Sequence, residues 1–128
     1  MDTSSPITLN GLDFHDLDGF YTVIYSMMDL YEDWKPAHNL DAFNDILYSG
    51  FGKEPVKLVW EHSAKSRGDL GMQATRYFYQ YKIDQGQPYN TNWAAQQLEA
   101  LNSGKGATLF DIIVEIFHSH RHIELILL

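Results

Sequence analysis

Asp41 and Asp45, in the stretch NLDAFNDIL, are two carboxylates one helical turn apart. If residues 40–48 are helical, both project from one face, nearly opposite Leu40, Phe43, Ile46 and Leu47. Like charges at i,i+4 destabilise an isolated helix by roughly 0.2–0.5 kcal/mol. Asp41 lies in the first turn, where the positive end of the helix dipole offsets part of that cost, and Asp45 lies beyond it. On spacing alone the simpler reading is an Asn39 cap and a solvated face, although Glu and Lys would serve such a face better. The alternative is that the face has a partner. The pattern recurs in TLFDIIVEIF, where Asp111, Glu115 and His118 form a narrow polar stripe on an otherwise apolar helix.

The other chemistry-bearing sets are weaker. His118, His120 and His122 suggest a zinc or nickel site. Their spacing is not that of a helical HExxH, however, and the chain has no cysteine, so a solvated turn at a helix C-terminus is the better reading. Gly104-Lys105-Gly106 precedes a helix but lacks the GxxxxGK[ST] order of a phosphate loop. Tyr77, Phe78, Tyr79 and Tyr81, near Arg76 and Lys82, have the composition of a base-stacking platform. The net charge argues against nucleic acid, and packing is the better reading of these rings. His62-Ser63 has no base and orienter in a recognisable frame. No catalytic constellation emerges, no cofactor is implied, and the chain is not expected to be an enzyme.

The elements that must position these groups belong to one domain of 128 residues, 45% hydrophobic and 20% charged. The formal charge is −8 and the pI about 5.0, which suits a basic partner and disfavours nucleic acid or an anionic membrane. No secretory signal and no membrane-spanning run is evident, so a cytoplasmic protein, monomeric when free, is expected. Residues 7–14 read as a first strand or hairpin arm with a turn signal at Asn10-Gly11. Asp16 or Asp18 caps a helix over 19–30, a loop follows over 31–38, and Asn39 caps the helix over 40–48. Residues 56–60 (VKLVW) read as a strand covered on both faces, and 63–70 as a short helix. Over 75–83 the aromatics suggest an extra strand. Asn92 is expected to cap a helix holding Trp93, Ala94, Leu98 and Leu101. Thr108 and Asp111 form a capping-box-like pair opening a helix over 109–119, and residues 123–128 (IELILL) close the chain as a third strand. Strands alternating with helices imply an α/β fold with a small parallel sheet.

The order strand, helix, NLDAFNDIL helix, VKLVWEHSAKS, TLFDIIVEIF and closing IELILL resembles the barstar family of ribonuclease inhibitors. Asn39-Leu40-Asp41-Ala42 followed by Asp45 is similar to that family's inhibitory helix. The similarity spans residues 7–65 and 108–128. It implies a three-stranded parallel sheet packed by helices, with residues 72–106 as an insertion. It also implies a stoichiometric immunity protein whose Asp41 and Asp45 enter the basic active site of a ribonuclease, supported by Glu115, with Asn39, Asn44 and Trp34 as further contacts. A carboxylate held in place can occupy a phosphate position, and such pairs speed encounter. The sequence departs from the family pattern at Lys35-Pro36, at Asn44 in place of a tryptophan, and at Ser119 in place of a second glutamate. Trp34 or Tyr31 is expected to supply the missing aromatic. Two rival readings are a metal or enzymatic protein built on His118, His120 and His122, and a non-nuclease interaction module using Trp93 and the tyrosines of the insertion.

Overall fold

The computed structural model describes residues 6–30 and 34–128. Within them the chain runs β1 (Ile7–Asn10), α1 (Leu17–Ser26), α2 (Leu40–Ile46), β2 (Val56–Glu61), α3 (Ser63–Asp69), α4 (Met72–Gln85), α5 (Thr91–Asn102), α6 (Leu109–Ser119) and β3 (Ile123–Leu127). The sheet order is β1-β2-β3, with both pairs parallel. Parallel neighbours need crossovers: α1 and α2 make the first, and α3 to α6 the second. The fold is therefore the expected α/β arrangement, and the apolar C-terminal run is paired within the sheet, Leu58 aligning with Leu125.

The sheet is covered on one face only. Val56, Leu58 and Trp60 are buried, whereas Lys57 and Glu61 are exposed, and Lys57 Nζ lies 3.9 Å from Glu124 on the neighbouring strand. Residues 56–60 are thus not covered on both faces, because the helices that cross between strands pack into a single core. Trp60 is the centre of that core. Its ring centroid lies 5.0 Å from Phe110 and 5.7 Å from Phe20. Its indole Nε1–H donates to Ser66 Oγ at 3.0 Å, so the one polar atom of this buried side chain is satisfied. β1 approaches α3 so closely at Gly11 that a Cβ there would sit 2.7 Å from the His62 carbonyl oxygen.

Several boundaries differ from expectation. The first strand ends at Asn10, not at 14, because the Asn10 side chain accepts from Leu12 N–H at 3.0 Å and turns the chain into a 3-10 segment, Gly11–Asp13. Asp16, rather than Asp18, caps α1, accepting from Gly19 N–H at 2.7 Å, and α1 stops at Ser26. Residues 75–83 are not a strand: they lie inside the 14-residue helix α4. Aromatic strand preference depends on a pleated surface to pack on, and here helical spacing instead turns Ala74 and Phe78 to the core and Tyr79 toward α5. The cap of α5 is Asn90, whose side chain accepts from Trp93 N–H at 3.0 Å, and not Asn92. The capping box of α6 is complete, with both arms at 3.2 Å. Tyr79, Ala94 and Leu101 are buried apart from the main core, in a hairpin of α4 and α5. Among the described residues no helix is long and apolar enough to cross a membrane.

Candidate partner-binding site

α2 is anchored by its apolar side and capped at its start. Phe43, Ile46 and Leu47 are buried. The Phe43 ring meets Phe117 edge-on at 5.2 Å and Phe20 at 5.4 Å. Asn39 Oδ1 accepts from Ala42 N–H at 2.7 Å, so its oxygen serves the cap while its amide NH2 stays free for other contacts. The approach to α2 is held by the Tyr25 hydroxyl, which donates to the Ala37 carbonyl at 2.9 Å. Burial pushes that phenol up to about 12. Asp41 and Asp45 are exposed, carried on a helix whose other face cannot rotate without opening the core. Asn44 is tied inward, its Oδ1 accepting from His120 Nε2–H at 2.8 Å.

Asn39, Asp41 and Asn44 stand on one wall of a cleft of 1840 Å³. Asp18, Tyr21 and His38 continue that wall, and the His38 Nδ1–H donates to Asp18 Oδ1 at 2.6 Å. The Tyr21 hydroxyl is buried with no hydrogen-bond partner among the described residues. Burial raises its pKa, and the neighbouring Tyr25, Asp18 and Asp41 add to the rise. The opposite wall is the α4–α5 hairpin, with Tyr77, Tyr81, Lys82, Tyr89 and Trp93, and Ile112 and Ile116 of α6 also line the cleft. The Lys82 ammonium lies 4.3 Å from the Tyr89 ring centroid and 4.6 Å from that of Phe78. Burial pulls it below the usual lysine range, and Asp41 across the cleft acts in the other direction.

The remaining sequence candidates lie elsewhere. Asp45 and Trp34 are exposed and outside the cleft lining. Tyr31, the other aromatic considered for the loop, falls outside the described residues. Glu115 lines a separate groove of 530 Å³ with Asp111 and Ser119. Ile112 and Ile116 line both depressions, so an apolar ridge parts the two acidic stripes. Asp111 is also engaged: it accepts from Thr108 N–H and lies 3.9 Å from Arg67 Nη1. His118 is exposed, His120 is buried against Asn44, and the His122 Nε2 is buried with no partner among the described residues. Among the described residues no three His, Asp or Glu side chains are placed to hold a metal. Asp18, Tyr21 and Lys82 were not legible as site residues, because only the fold brings their segments together. Tyr77 and Tyr81 did carry a signal, their i,i+4 spacing, once residues 75–83 are helical.

These features define a small α/β protein with a one-sided three-stranded parallel sheet and exposed carboxylates on a capped, core-anchored helix. The chain belongs to the Barstar family, described as Barstar (barnase inhibitor), whose family model matches residues 5–80, more than half of its length. That match runs through β1, α1, α2, β2 and α3 into α4. No curated protein and no solved structure matches the chain.

Proposed function

We propose that this protein is a stoichiometric inhibitor of a ribonuclease and performs no chemistry itself. The carrying observation is the exposed pair Asp41 and Asp45 on α2, a helix capped by Asn39 and locked to the core by Phe43 and Ile46. Their mutual repulsion in the free protein is relieved when a cationic site faces them. A helix backbone already anchored has little freedom to lose on binding, which favours affinity. A ribonuclease active site is a basic pocket shaped for phosphate, and two carboxylates on adjacent turns present matching charge to it. Membership of a family described as barnase inhibitors supports the same reading. Glu115, one groove away on α6, acts as a supporting charge, and Asn39, Asn44 and Trp34 border the contact. In this reading the chain is one domain with residues 72–106 as an elaboration, is monomeric when free, and works in the cytoplasm, where it protects the cell that makes the nuclease.

The test is inhibition of barnase and other small basic ribonucleases by the wild-type chain and by Asp41→Ala/Asp45→Ala. Tight inhibition that is lost in the double variant, with an unchanged circular dichroism spectrum, is the expected result. Equal inhibition by the double variant would overturn the assignment. Asp45→Ala alone is expected to weaken the complex by more than about 2 kcal/mol, a hot-spot scale for which a barstar aspartate is itself the reference case, so the magnitude is the family's.

A further inference from the structure

We propose that the cleft between α2 and the α4–α5 hairpin is a second half of the binding surface, and that it receives a cationic, arginine- or lysine-bearing segment of the inhibited nuclease. This rests on the inhibitor reading above and extends it to a wall that the acidic helix does not supply.

Three independent features point to that occupant. First, the two walls differ in chemistry. Asp18 and Asp41 line one and Tyr77, Tyr81 and Trp93 the other, so a cation between them meets carboxylates on one side and aromatic faces on the other. Both attract a guanidinium or ammonium group. Second, the cleft already holds one cation of its own. Lys82 lies over the Phe78 and Tyr89 rings, within the field of Asp41. Its charge is taken up by those two rings and by Asp41, and among the described residues no cation stands over Tyr77, Tyr81 or Trp93. Third, the rings lining the hairpin wall are left in solvent. Tyr77 is 72% exposed, Tyr81 44% and Trp93 45%, and Tyr77 and Tyr81 are adjacent, their centroids 6.4 Å apart. Trp93 packs edge-on against Tyr79 with one side, but much of each of the three rings stays in water, and Tyr and Trp are the side chains that most often anchor interfaces. On the facing wall the buried Tyr21 hydroxyl has no partner among the described residues.

Charge selects the partner class. The chain carries −8, and a basic segment entering the cleft is drawn by the same field that draws the nuclease active site to α2. Asp41 is shared by the exposed face of α2 and the cleft wall, so the two contacts are continuous across it.

The experiment measures the dissociation constant of the complex with barnase, or with whichever small basic ribonuclease the wild-type chain inhibits, for wild type, Tyr77→Ala/Tyr81→Ala and Tyr77→Phe/Tyr81→Phe. Both positions are solvent-exposed, and circular dichroism and thermal melting check that the variants fold. The alanine pair is expected to raise the constant by about tenfold or more and the phenylalanine pair by less than about threefold, since the ring face is retained. Tyr77→Lys, which places a like charge in the path, is expected to weaken binding further and to slow association. Tight inhibition by wild type with alanine-pair and Tyr77→Lys constants within about threefold of it would overturn the cleft alone. Inhibition of no nuclease by the wild-type chain would overturn the inhibitor reading and the cleft together.

Discussion

His120 couples the acidic helix to the end of α6 through one hydrogen bond, and its chemistry makes that coupling sensitive to pH. Burial lowers its pKa below the ordinary imidazole value, the neighbouring His122 adds to the lowering, and the backbone of Asn44 opposes both. The folded protein thus resists protonating a group that the unfolded chain protonates readily. Stability from this histidine is present above the ordinary pKa of about 6.5 and is lost as the pH falls through the depressed folded value. His120→Gln keeps an N–H to donate to Asn44 and removes the titration. Melting temperatures of wild type and His120→Gln, compared between about pH 8 and about pH 5, are expected to converge toward the acid end as wild type loses more. Parallel curves would show that His120 does not carry the dependence. Asn44 shows how a residue proposed for partner contact by its place on α2 is also held by the fold: its oxygen is engaged by His120.

Local signals make most single elements legible, although the cap of α5 lies at Asn90, two residues before the expected Asn92. The Asn39 cap, the apolar face of α2, the Thr108–Asp111 capping box and the alternation of strands with helices are set by residues within a few positions of one another, and each appears in the structure. α4 was misread because its aromatics were weighed by composition, while the deciding contacts come from α5 and the main core. The joint between α4 and α6 was invisible for the same reason. Thr75 Oγ1 accepts from the buried Leu109 N–H at 2.8 Å, and Phe110 N–H donates to the Leu70 carbonyl at 3.0 Å. The start of α4 is therefore built into the fold, and the family match accordingly continues past residue 72. Thr75→Val removes the acceptor and leaves Leu109 N–H unpaired at the head of α6. It is expected to cost about 1–3 kcal/mol in urea unfolding, with Thr75→Ser near wild type. A neutral Thr75→Val would mean that the hairpin is an appendage that α6 does not depend on.

Over the whole molecule, the proposed binding surface is a product of topology. Asp18 lies in the first turn of α1, Asp41 in the first turn of α2, and Lys82 and the tyrosines come from α4 and the loop after it, yet all line one cleft. No window of sequence contains that cleft, which is why the acidic helix and the segment of Trp93 and the tyrosines read as rival surfaces rather than as two walls of one. The chain's charge of −8 bears on the whole surface at once, and it makes the approach of a basic nuclease a long-range event. The association rate with an inhibited ribonuclease is expected to fall at least about tenfold from low salt to about 0.5 M, because screening shortens the reach of the field to a few ångströms. The dissociation rate should change much less, since contacts already formed are dry and short-ranged. Stopped-flow measurements across salt concentrations separate the two. A salt-independent association rate would mean that the exposed rings of the hairpin, rather than the carboxylates of α1 and α2, make the first contact. In that case Tyr77→Ala/Tyr81→Ala would slow association where Asp41→Ala does not.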